Sequence, residues 1–201
     1  TVRVVHGVPI KLWVPTLEAF VHGCIEGFVA GRGHEDVEEG LLRSLGIAQV
    51  VRWDASGSKE VIAERFEGNR LNSPNDLVVD SQGRVWFTDP RYGDDHSDRE
   101  LDHDSVYRLT PPASGESEWG IQRLTFDTTR PNGILLSADE RTLYVAQSNH
   151  TPSEPRQLRA YPVQEDGTLG PYTVLHDFGA WRGIDGCGEP ATSTAGRWSC
   201  S

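Results

Sequence analysis

Short apolar runs separated by turn residues dominate this chain. Candidate strands lie at 48–53, 60–66, 76–80, 84–88, 105–110, 121–126, 133–137, 142–146, 158–163 and 173–177, with Gly, Pro, Asn and Asp between them. Helical periodicity is weak. Only 35–45 (EDVEEGLLRSL) reads as a short helix, and Gly40 interrupts it at a cost of about 1 kcal/mol relative to alanine. Residues 1–46 lack clean alternation, and so does the tail at 188–201. The pattern predicts an all-β fold in 47–187, preceded by an irregular or disrupted first region at 1–46 and followed by an atypical tail.

The strands repeat. Pro74-Asn75-Asp76-Leu77-Val78-Val79-Asp80 leads into Val85-Trp86-Phe87-Thr88-Asp89. Pro131-Asn132-Gly133-Ile134-Leu135-Leu136-Ser137 leads into Leu143-Tyr144-Val145-Ala146. The two asparagines are 57 residues apart (132 − 75). Two further strands follow in each unit. Arg182-Gly183-Ile184-Asp185-Gly186 reads as the opening of a third unit, and 49–53 with 61–66 as the end of an earlier one. Repeated four-stranded antiparallel units are the signature of a β-propeller, in which neighbouring sheets stack around an axis. Equivalent positions then converge at one end of the central channel, which places Asn75, Asn132 and Asp185 together. A six-bladed ring needs on the order of 240–300 residues at ~40–50 per blade. This chain of 201 is therefore expected to hold two whole blades and two partial ones, an incomplete or disrupted ring.

Composition narrows the function. Lys and Arg number 19 against 30 Asp and Glu, a net charge of −11. That balance opposes a nucleic-acid face or a polybasic membrane patch. No run of 18 apolar residues is present, so no membrane-spanning helix is readable. The cysteines Cys24, Cys187 and Cys200 show no zinc or redox spacing; a Cys187–Cys200 disulfide stays open for an oxidising compartment. The absence of methionine leads us to expect a trimmed, processed or incomplete N-terminus. The patternless tail leads us to expect a shifted frame or truncated gene after about residue 186. A cytoplasmic location is favoured, with a secreted or periplasmic one left open, and the oligomeric state is undetermined.

Asn and Asp offer oxygen ligands, which suit a hard cation such as Ca²⁺ or Mg²⁺. Pro-Asn-Asp and Pro-Asn-Gly are also ordinary turn sequences. Their recurrence at unit openings, with Asp185 as a third member, favours a functional reading. Asp89-Pro90-Arg91-Tyr92 and Ser148-Asn149-His150 follow strand ends and should open toward the same face, where they line a pocket or only shape loops. The acidic segment 94–104 (DDHSDRELDHD) lacks the central glycine of a calcium loop and reads as a solvated loop.

Four motifs occur together and in order: Leu71-Asn72-Ser73-Pro74-Asn75-Asp76, then Val85-Trp86-Phe87-Thr88-Asp89-Pro90-Arg91-Tyr92-Gly93, then Arg130-Pro131-Asn132-Gly133, then Arg182-Gly183-Ile184-Asp185-Gly186. Over about residues 47–187 the chain resembles the gluconolactonase family, which includes regucalcin and luciferin-regenerating proteins. The resemblance implies a six-bladed propeller that hydrolyses a lactone or related ester around a divalent metal, Ca²⁺ first, with Mg²⁺ or Zn²⁺ as alternatives. It implies Asn132 and Asp185 as metal ligands, Asn75 near both metal and substrate, and Asp185 as general base. The family's glutamate ligand falls on Glu26, in a Glu26-Gly27-Phe28-Val29 stretch that lacks the family's proline. The alternative is a metal-binding propeller module, or an inactive fragment, without turnover.

Overall fold

The computed structural model describes residues 2–5, 8–11, 27–31, 48–53, 58–92, 96–149, 151, 153–179, 187–188 and 199–200. Every strand pairing among them is antiparallel, and no helix occurs among the described residues. The expected helix at 35–45 lies outside them.

Two four-stranded meanders form the centre. Unit A comprises β8 (Leu77–Val79), β9 (Val85–Asp89), β10 (Ser105–Thr110) and β11 (Gly120–Arg123), paired in sequence order. Unit B comprises β12 (Pro131–Leu136), β13 (Thr142–Ser148), β14 (Arg156–Pro162) and β15 (Thr173–Asp177), again in order. Ahead of them, β3 (Gly27–Gly31), β4 (Gln49–Trp53) and β5 (Lys59–Ala63) form a three-stranded sheet. A small hairpin joins β6 (Arg65–Phe66) to β7 (Asn69–Arg70). Near the ends, β1 (Val2–Val5) pairs β2 (Val8–Lys11), and β16 (Cys187–Gly188) pairs β17 (Ser199–Cys200).

Three of these strands, β1 to β3, lie where the sequence shows no alternation. The single strand expected at 60–66 is broken at Glu64, whose carbonyl accepts from Leu71 N at 3.0 Å. The turn beyond it holds both Glu67 and Gly68 at positive φ, 51° and 83°, which suits a two-residue hairpin loop.

The alternation within unit A explains its packing. Leu77, Val85, Phe87, Tyr107 and Leu109 face the preceding sheet and pack with Ala48, Val50 and Ile62. The intervening residues Val78, Trp86 and Val106 face unit B and pack with Ile134, Leu143, Val145 and Tyr161. Both faces of β9 are covered, so all five of its residues are buried. That is why the run Val85-Trp86-Phe87 is apolar throughout.

The seam between the units is closed by hydrogen bonds at both ends. At one end Ser81 N and Oγ donate to the Glu140 carboxylate at 2.6 and 2.7 Å. Glu140 takes φ 57° where the equivalent turn of unit A has Gly83 at 75°. Only a residue with a long acceptor side chain makes that bridge, which accounts for a non-glycine in a strained position. The other end carries the candidate site.

Candidate functional site

The strands of each unit alternate in direction. The segments before β8 and β12 and those after β9 and β13 therefore lie at one end of the two sheets. Asn75 and Asn132 both stand there. The Asn75 amide donates to the Thr88 carbonyl at 2.9 Å. The Thr88 hydroxyl donates to the Asn132 carbonyl at 2.7 Å. One residue thus touches both candidate asparagines, although they open different units. Asn132 is buried and Asn75 half-buried.

Asn132 sits in a break of register. Pro131 lies opposite Gln147, and Ile134 lies opposite Val145. Three steps along β12 therefore match two along β13, and Asn132-Gly133 form a bulge. Bulges bend a strand and re-aim its side chains, and they are common beside active sites. Asp76 supports this one from unit A: its Oδ2 accepts from Ile134 N at 3.0 Å, while Oδ1 accepts from Leu77 N at 3.0 Å. Both oxygens of Asp76 are thereby engaged by backbone N–H groups, so its carboxylate acts as scaffold.

The approach to each asparagine is clamped by the end of the second strand. In unit A, Asp89 accepts from Asn72 N at 2.9 Å and Ser73 N at 2.7 Å. In unit B, Gln147 takes the same place, and its Oε1 accepts from Thr129 N at 3.2 Å. Asn72 and Thr129 each lie three residues before the asparagine of their unit. Burial pushes the Asp89 carboxyl up to about 7, against the lowering pull of the two N–H groups, and nearby Asp104 adds to the rise. Burial also raises Asp104, with Arg99 opposing it through an ion pair at 2.7 Å.

The acidic segment is less solvated than its composition suggests. Leu101 joins the core of unit A and Asp104 is buried. Asp98 pairs with Arg91, and Glu100 Oε2 accepts from Arg70 N at 2.7 Å. The Arg70 guanidinium lies 3.7 Å from Glu100 Oε1, so Arg91 and Arg70 balance the charge of these two carboxylates. Asn149 closes its own loop, accepting from Thr151 N at 2.9 Å and donating to Thr129 Oγ1 at 3.1 Å. Arg130 lies over the ring of Tyr92 at 5.7 Å, joining the loops of the two units.

Of the residues expected at the site, Asn75 and Asn132 are brought together, while Glu26 and Asp185 lie outside the described residues. The two amide side chains are of the right chemical type for a hard cation. Among the described residues no group of three His, Cys, Asp or Glu side chains could hold a metal ion. The sequence reading missed Thr88 and Asp76. The repeat itself carried the signal, because unit B has Ala146 and Gly133 at those places.

Residues 27–195 match the model of the SMP-30/Gluconolactonase/LRE-like region. The chain belongs to this family. Among SMP-30/gluconolactonase/LRE-like proteins, a gluconolactonase of Zymomonas mobilis is 32% identical over 124 residues, 60% of this chain and 32% of that protein. A gluconolactonase structure from Xanthomonas campestris superposes with a TM-score of 0.52 at 40% identity, covering 63% of this chain and 41% of that one. A structure described as a putative gluconolactonase gives a TM-score of 0.52 at 27% identity, over 69% of this chain and 46% of that one. The chain thus spans less than half the length of each of these relatives.

Proposed function

We propose that this chain belongs to a lactone hydrolase, with units A and B as neighbouring blades of a six-bladed propeller and with the asparagine-bearing end as its substrate end. The observation that carries the reading is the joint attachment of Asn75 and Asn132 to Thr88 across the seam. The main chains of two asparagines from separate repeats are tied together at one end, as a site built on a radial repeat requires. The names of the relatives supply the substrate class, a small sugar lactone or similar cyclic ester.

A divalent cation, Ca²⁺ in the first instance, would be held by Asn132 and Asp185, with Asn75 beside it and Glu26 as a further ligand. Such a cation polarises a carbonyl and lowers the pKa of water. Asn75 orients the lactone by donating from its amide nitrogen. Asp185 takes the proton of the attacking water as its oxygen bonds to the carbonyl carbon, and returns that proton to the ring oxygen as the ring acyl C–O bond breaks. The bulge at Asn132 sets the angle at which that side chain meets the substrate. The acidic surface suits a neutral lactone and speeds departure of the carboxylate product.

The test is acid release from gluconolactone in a pH-stat, corrected for spontaneous opening, with and without chelator. Turnover that chelation abolishes and Ca²⁺ restores is expected. Equal rates with and without protein refute the hydrolase reading. Ca²⁺-dependent melting without acid release identifies a binding module in its place.

A further inference from the structure

We propose that Thr88 is a positioning residue of the site, acting through Asn132 from the adjacent unit. Its hydroxyl has one proton and two contacts that could take it. The Asn132 carbonyl lies at 2.7 Å and the Asp76 carbonyl at 3.4 Å, so the proton goes to Asn132. The oxygen meanwhile accepts from Asp76 N at 3.1 Å. The main chain of Thr88 adds two bonds, accepting from Asn75 N at 2.9 Å and donating to the Asp76 carbonyl at 3.0 Å. Thr88 is fully buried, so water does not replace these partners. At the bulge, the groups on either side of Gly133 bond across the seam: the Asn132 carbonyl to Thr88 and the Ile134 amide to Asp76. The angle of Asn132 is therefore set by unit A as much as by its own strand. Unit B has Ala146 where unit A has Thr88, and a methyl group makes no such bond. The pin is thus a feature of unit A that the repeat does not carry into unit B.

This inference rests on the proposed site in one respect, that Asn132 is a site residue; its structural part stands alone. The test uses the full chain and three variants. Thr88→Val keeps the shape and removes the hydroxyl. Thr88→Ser restores it. Ser81→Ala weakens the same seam at its opposite end. In ¹⁵N-resolved NMR spectra, T88V should shift the Asn132 side-chain amide and speed exchange at the Asp76 and Ile134 amides by about tenfold or more. T88S should retain both signatures of the parent, and S81A should lower global stability without moving Asn132. An Asn132 amide unchanged in T88V overturns the proposal. So does an equal shift in S81A and T88V at matched global stability. The parent chain offers a check that needs no folded variant: a slowly exchanging Thr88 hydroxyl proton close to the Asn132-Gly133 peptide is expected, and a freely exchanging one refutes the pin. Should the parent neither bind Ca²⁺ nor release acid, the lactonase reading fails while the Asn132 shift still decides the role of Thr88.

Discussion

Units A and B have the same four-stranded meander and corresponding turns, yet they are held very differently. Unit A is packed on both faces, between the β3–β5 sheet and unit B. Unit B is packed on the face toward unit A; on the other, among the described residues, Ala146 is the one buried apolar side chain of its cluster, with Leu158 and Phe178 partly buried beside it. All of β15 is exposed, Val174 at 40% and Leu175 at 51%. The same contrast runs through the polar residues. Asp80 accepts from Gln82 N, Arg84 N, Arg84 Nε and Trp86 Nε1, whereas Ser137 at the equivalent turn makes two bonds near the surface. A four-stranded sheet has two faces to cover and covers them only through neighbours. Equal topology therefore does not give equal stability.

Position-matched substitutions probe this contrast most strongly. Trp86 and Tyr144 are equivalent, but Trp86 is fully buried in the seam and Tyr144 half-buried on the more open face. Urea unfolding should show a loss of about 3–5 kcal/mol for Trp86→Ala and roughly half that or less for Tyr144→Ala. Similar losses would mean that the second face of unit B is as well covered as the first. Next in size, Asp80→Ala should cost about 2–3 kcal/mol and Ser137→Ala under about 1 kcal/mol by the same assay.

The clamp residues give a pH test. Asp89 carries a carboxyl raised to about 7, whereas Gln147 in unit B does not titrate. Between the ordinary carboxylate value and 7, the folded state holds a proton that the unfolded state has lost. Stability is then greatest below about pH 4 for this group and falls as pH rises toward 7, by up to about 1.4 kcal/mol per pH unit. Asp89→Asn should flatten that slope, because the group no longer titrates. Chemical denaturation at a series of pH values measures it, and an unchanged slope would show that Asp89 is already ionised in the fold. The smallest effect is expected at β15, where Leu175→Ser should change stability by less than about 0.5 kcal/mol.

Much of the fold was legible. The strands at 105–110 and 173–177 match their expected limits, and the 57-residue offset between asparagines marks the real correspondence of β8 with β12. The apolar run of β9 marked a strand without showing which residue faces which neighbour, because both of its faces are buried. The region before residue 47 was illegible, since Val2–Val5, Val8–Lys11 and Gly27–Gly31 lack the alternation that marks a half-buried strand. At the site, the asparagines could be read because they repeat. Thr88 and Asp76 could not, because their partners belong to another unit and depend on a bulge that no local pattern specifies. Their difference from Ala146 and Gly133 was visible, but without the seam it had no meaning.

A thermal melt with and without Ca²⁺, run on the parent chain and on Asn132→Ala, tests the central claim most directly. Ca²⁺ should raise the melting midpoint of the parent, by an amount that grows with concentration as binding to the folded state requires, and leave Asn132→Ala unmoved. No shift in the parent, or the same shift in both, would contradict a cation site built on Asn132 at the seam of the two units.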